Sequence, residues 1–153
     1  MRTALPLLTL LFSAGLARPL PFTPTVSLQV TTPQIVNASF GIATMKSSSI
    51  WGAPRTGLVF RVEPGLGGGK LHAGGRFAFS MFFTDIFYTE LTAAVMRTWG
   101  KTWGHLERNQ TYAGAELRMR VHLVTGTMGC YRHVYGSDEN HNWVLSAGIG
   151  LGL

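Results

Sequence analysis

Ten polar residues of this chain fall into groups with even spacing: Arg61 and Glu63, His72 and Arg76, Tyr88 and Glu90, and Glu116, Arg118, Arg120 and His122. In an extended chain, residues two apart share a face, so each group presents its polar side chains together. A guanidinium can grip a carboxylate with two parallel hydrogen bonds. Arg61, Arg76, Arg118 and Arg120 share that parity with Glu63, Glu90 and Glu116, which reads as an internal network. The chain carries 13 Lys plus Arg against 7 Asp plus Glu, a formal charge of +6. Because the arginines alternate with acids on one face, that excess does not read as a nucleic-acid patch, and no nucleic acid is expected as a partner.

Other chemistry is weaker. Gly65-Leu66-Gly67-Gly68-Gly69-Lys70 invites a phosphate-loop reading, but Pro64 stands where the Walker pattern needs Gly, and Leu71 where it needs Ser or Thr. A dinucleotide fingerprint fails because Lys70 occupies its third glycine position. The run is expected to be a tight glycine turn. His133, Asp138, Glu139 and His141 are possible zinc ligands, yet such a loop reads more simply as solvated, so no metal and no cofactor is expected. No Gly-x-Ser-x-Gly elbow occurs. The His-x-Ser pair of the lipid A deacylase barrels is missing as well, since Val134-Tyr135 follows His133 and Leu123-Val124 follows His122. No catalytic residue is assigned and the chain is not expected to be an enzyme. Asn37-Ala38-Ser39 and Asn109-Gln110-Thr111 fit glycosylation sequons.

The elements that must position these residues are strands. Period-two alternation with turn residues at the boundaries runs over eight segments: 24–31, 34–44, 57–66, 70–80, 86–99, 111–122, 127–135 and 143–153. In the sixth, Ala113, Ala115, Leu117, Met119 and Val121 oppose Tyr112, Gly114, Glu116, Arg118, Arg120 and His122. In the last, Leu145, Ala147, Ile149, Leu151 and Leu153 oppose Ser146, Gly148, Gly150 and Gly152. Ahead of these, Arg2 and the apolar stretch Ala4 to Leu16 lead to the small residues Gly15-Leu16-Ala17. This is the layout of a secretory signal peptide. The expected division is a signal peptide over 1–17 and a β-barrel domain over 18–153, with Arg2 lost and the formal charge reduced from +6 to +5.

Composition excludes the main competitors. With 46% hydrophobic and 13% charged residues the chain is not intrinsically disordered. A single Cys cannot form an internal disulfide, and no apolar run after the amino terminus reaches the roughly 20 residues of a transmembrane helix. An even set of strands, each long enough to cross a bilayer at a tilt, points to a closed antiparallel, up-and-down transmembrane barrel. In such a barrel the apolar face meets lipid, and the Arg/Glu/His/Tyr face fills a narrow lumen. Trp51 and the set Trp99, Trp103, Tyr112, Tyr135 and Trp143 lie near strand ends, where interface aromatics belong. Arg97 and Arg132 break the apolar parity near strand ends, where their side chains can snorkel to headgroups.

The signal peptide, the eight alternating segments and the closing WVLSAGIGLGL together resemble the small bacterial outer-membrane β-barrels, the OmpA- and OmpX-like eight-stranded class. LVFRVEPGLGGGKLHAGGRFAF, MRTWGKTWG and TYAGAELRMRV are similar to segments of uncharacterised predicted outer-membrane proteins. The resemblance implies a place in the bacterial outer membrane, membrane lipids and the outer-membrane assembly machinery as partners, and a structural or binding role. The family usually ends on an aromatic residue, and Leu153 departs from this. The connections at 99–111 and 135–143 are long and available to a loop-mediated partner, whereas those at 31–34 and 66–70 are short where the family has long outer loops. Two alternatives stand beside this reading. One is a secreted lipocalin-like carrier holding an apolar ligand against Leu117, Met119 and Ile149. The other is a lipid-modifying barrel hydrolase.

Overall fold

The computed structural model describes residues 22–45, 55–81, 84–103, 106–137 and 142–153. The expected signal peptide, Trp51, Asp138, Glu139 and His141 lie outside these residues. Eight strands run in chain order: β1 (Phe22–Thr31), β2 (Ile35–Thr44), β3 (Arg55–Pro64), β4 (Gly68–Met81), β5 (Thr84–Thr98), β6 (Thr111–Val121), β7 (Val124–Tyr135) and β8 (Trp143–Gly152). Each pairs antiparallel with its sequence neighbour, and β8 returns to β1 to close the barrel. The seam has five register pairs, from Ser27 opposite Gly152 to Thr31 opposite Gly148. Val26 and Leu153 extend it by exchanging backbone hydrogen bonds of 3.1 and 2.8 Å.

The expected segments are all strands, with boundaries that shift where glycine hides the alternation. Gly68 and Gly69 are not part of a turn: they pair with Thr98 and Arg97 as the first residues of β4. The turn before them is only Gly65-Leu66-Gly67. β7 starts at Val124 rather than 127, so only His122 and Leu123 connect it to β6.

The two faces separate cleanly. Leu28, Phe40, Leu58, Phe60, Leu71, Leu91, Val95, Met128, Leu145 and Leu151 face outward and are exposed. The buried side of every strand is mostly polar, including Gln29, Asn37, Ser39, Arg61, Glu63, His72, Glu90, Thr92, Glu116 and Thr125. The usual partition of a soluble protein is therefore inverted. Glycine lets the strands come close on the inner side. A Cβ at Gly74 would sit 2.1 Å from the Leu91 carbonyl oxygen, and one at Gly114 would sit 2.0 Å from that of Cys130.

The two ends of the barrel differ. The connection between β5 and β6 folds over the two short turns on its own end: Trp103 N–H donates to Pro33 O at 3.0 Å, and Trp99 N–H to Gly67 O at 3.2 Å. Thr98 Oγ1 anchors it by donating to Glu107 O at 2.7 Å and accepting from Gln110 N–H at 3.0 Å. Beneath this cap lies a small apolar cluster of Ala94, Met96, Leu106, Tyr112, Tyr131 and Val144. The short turns at 32–34 and 65–67 thus serve the fold, because they leave room for one long connection to cross that end.

Candidate functional site

The lumen is filled by one continuous charged network, positioned by the period-two rule on β3, β4, β5 and β6. Arg61 Nε donates to Glu63 Oε1 at 2.9 Å, and Arg61 also binds Glu90 from its Nη1. Arg76 clamps Glu90 Oε1 with two donors, Nε at 2.8 Å and Nη2 at 2.5 Å. Arg118 reaches across the barrel to Glu63. With its amide oxygen turned toward Arg118, Gln29 accepts from Nη2 at 2.7 Å and Nη1 at 3.0 Å. His72 sits between the acids, with Nε2 3.3 Å from Glu63 Oε2 and Nδ1 3.3 Å from Thr92 Oγ1.

Toward the cap the partners change. Lys70 Nζ donates to Glu116 Oε2 and to Ser146 Oγ, both at 2.9 Å. Tyr131 Oη donates to the same Glu116 oxygen at 2.7 Å, and its ring lies 5.2 Å from Lys70 Nζ. Ser146 Oγ in turn donates to Thr32 O at 2.5 Å. Toward the other end, the Tyr88 ring has Arg76 on it at 5.2 Å and Arg120 at 5.0 Å.

Of the ten residues assigned to the lumen from sequence, the structure brings together Arg61, Glu63, His72, Arg76, Glu90, Glu116 and Arg118 as buried side chains. Tyr88 and Arg120 join them half-buried near the mouth. His122 does not belong. The strand ends at Val121, and His122 lies exposed in the two-residue turn with φ of 53°, a left-handed conformation in which strand parity no longer applies.

Among the aromatics, Trp99, Trp103, Tyr135 and Trp143 face outward and are exposed. Tyr112 is a correction. It has Glu116 parity, is fully buried, and packs edge-on against His133 with ring centroids 5.2 Å apart. An aromatic near a strand end suits either face, and here parity decided. Arg97 and Arg132 are exposed on the outer side.

Sequence reasoning missed Lys70 and Tyr131. Lys70 opens the expected strand 70–80 but directly follows the glycine run, with no face assigned to it. Its even spacing from His72 and Arg76 was the signal that could have found it. Tyr131 lies within the expected strand 127–135, at even spacing from Gly129 and His133.

Glu63, His72 and Glu116 have ligand-type atoms within 4.8 Å of one another, and Glu63 Oε2, His72 Nε2 and Glu116 Oε1 carry no hydrogen bond. The surrounding charge argues against a cation. Among the described residues the buried lumen holds Arg61, Lys70, Arg76 and Arg118 against only Glu63, Glu90 and Glu116, and the Arg61 guanidinium already lies 3.7 Å from Glu116 Oε1. A metal ion would add positive charge where positive charge is already in excess. What the arrangement does chemically is fill and cross-link: seven charged side chains and His72 tie opposite walls of the barrel together. Comparison with protein-family models, curated proteins and solved structures finds no match for the chain.

Proposed function

We propose that this chain is a bacterial outer-membrane β-barrel protein with a structural or binding role, exported by its amino-terminal signal and closed inside by the charged network. The carrying observation is the inversion of its faces. Large apolar side chains point outward from all eight strands: Leu28, Phe40, Leu58, Leu71, Leu91, Leu117, Met128 and Leu145 supply one each. A soluble protein rarely exposes a contiguous apolar patch of more than a few hundred Å², whereas a membrane barrel needs an apolar band around its whole circumference. Leu117, Met119 and Ile149, which a lipocalin-like carrier would turn onto its ligand, face outward. The exposed Trp99, Trp103, Tyr135 and Trp143 have the amphipathic rings suited to the lipid–water boundary. Membrane lipids and the assembly machinery are the partners this reading requires.

Fractionation tests it. The mature protein stays in the outer-membrane fraction through a carbonate wash, starts near Arg18 by intact mass, and migrates differently on a gel with and without heating. Recovery as a soluble periplasmic monomer overturns the proposal.

A further inference from the structure

Among the described residues, the open end of the lumen, opposite the cap, carries a feature that the network leaves unresolved. A cavity of about 20 Å³ is lined by Thr25, Ser39, Arg76, Arg118, Arg120 and Thr125, among others. That is room for one species the size of a water molecule. Three donors among its lining residues have no hydrogen-bond partner and little or no exposure: Thr25 Oγ1, Thr125 Oγ1 and Arg118 Nε. Thr125 is 1% exposed, Thr25 and Arg118 7%.

Charge points the same way. The three buried carboxylates already have cationic partners. Glu90 has Arg61 and Arg76, Glu63 has Arg61 and Arg118, and Glu116 has Lys70 and Arg61. Among the described residues four buried cations face three buried acids, and Arg120 adds a further positive charge at the mouth, held against the Tyr88 ring. An uncompensated charge in a confined interior is strongly unfavourable. Guanidinium groups are donors only, and a hydroxyl can donate as well; Glu90 also lines the cavity, but it is engaged by Arg61 and Arg76, and the four arginines of the lining exceed this one acid.

We propose that this cavity is a halide-binding site, in which one monatomic anion of the chloride class sits among Arg118, Arg120, Thr25 and Thr125 and balances the lumen. A water molecule could fill the same volume but would leave the charge unbalanced. A tetrahedral oxyanion is larger than the one water-sized species that this volume accommodates. The site rests on the closed barrel and its interior, so it stands or falls independently of where the barrel resides.

The test is the ³⁵Cl linewidth of chloride titrated into the full-length protein folded in detergent, with gluconate holding the ionic strength constant. Wild type gives a saturable, protein-dependent broadening. Arg120→Gln and Thr125→Val each weaken it roughly ten-fold, the effect of losing one hydrogen bond to a charged partner. Arg97→Gln, on the outer face, leaves it unchanged, and circular dichroism confirms that all variants are folded barrels. Phosphate at equal ionic strength competes no better than gluconate. The absence of saturable broadening in wild type overturns the proposal, as does an equal loss in Arg97→Gln. Strong displacement of chloride by phosphate overturns the assignment to a monatomic anion.

Discussion

The two halves of the lumen solve the same problem, polar groups held inside a narrow tube, in different ways. Under the cap, Lys70, Glu116, Tyr131 and Ser146 form a compact group roofed by Tyr112, Met96, Leu106 and Val144. At the opposite end, Arg76, Tyr88 and Arg120 stack in a row that leads outward past a small cavity. Among the described residues, the first half is sealed and nearly balanced in charge, and the second is open and cationic. A buried ion pair survives where its remaining hydrogen-bonding capacity is met by neighbours. Tyr131 and Ser146 perform that service at the capped end. At the mouth, solvent and mobile ions can take it over. The two halves thus meet the remaining hydrogen-bonding capacity of their charges differently, with fixed neighbours at the capped end and a cavity at the other.

The largest expected effect comes from breaking the sealed half. Glu116→Leu leaves Lys70 and the Tyr131 hydroxyl without their shared acceptor and should cost about 3 kcal/mol, the lower end for disrupting a buried pair, measured by urea unfolding in detergent. No detectable loss would mean that water reaches Lys70 and that the two halves are not distinct.

Tyr131→Phe sharpens the same point. It removes one hydrogen bond to a charged acceptor, at 2.7 Å, and keeps the ring beneath the cap. The expected loss is about 2 kcal/mol by the same measurement. A loss as large as that of Glu116→Leu would shift the weight from the ion pair to the phenol.

The smallest effect belongs to the open half. Arg120→Gln removes a half-exposed cation from an already cationic mouth, so unfolding stability should change by less than about 0.5 kcal/mol. A loss near that of Tyr131→Phe would show that the mouth is as tightly coupled as the capped end.

Much of this was legible in the sequence, for a reason that particular residues display. Strand parity is a local property, so adjacency alone puts Leu117 and Glu116 on opposite faces, and Arg61, Arg76 and Arg118 could be grouped before any fold was known. Where local signals gave out, the reading erred. Glycine carries no side chain to reveal a face, which hid Gly68 and Gly69 at the start of β4 and left Lys70 at the edge of the expected strand. His122 carried the parity of its strand one residue past the strand's end. Tyr112 was pulled toward the interface by its type although its spacing put it inside. The partners themselves were not legible. Arg118 meets Glu63 and Lys70 meets Glu116 across the barrel, and pairing across a closed ring depends on stagger and tilt, which no single strand encodes.

The seam between β1 and β8 has a temporal consequence. Every other strand pair joins sequence neighbours, so each can zip as a local hairpin once its turn forms. The five pairs from Ser27–Gly152 to Thr31–Gly148 instead unite distant stretches of the polypeptide, and contacts of high sequence separation form slowly because loop closure must precede them. The sheet is therefore expected to close last at this seam, with β1 and β8 as its two free edges until then.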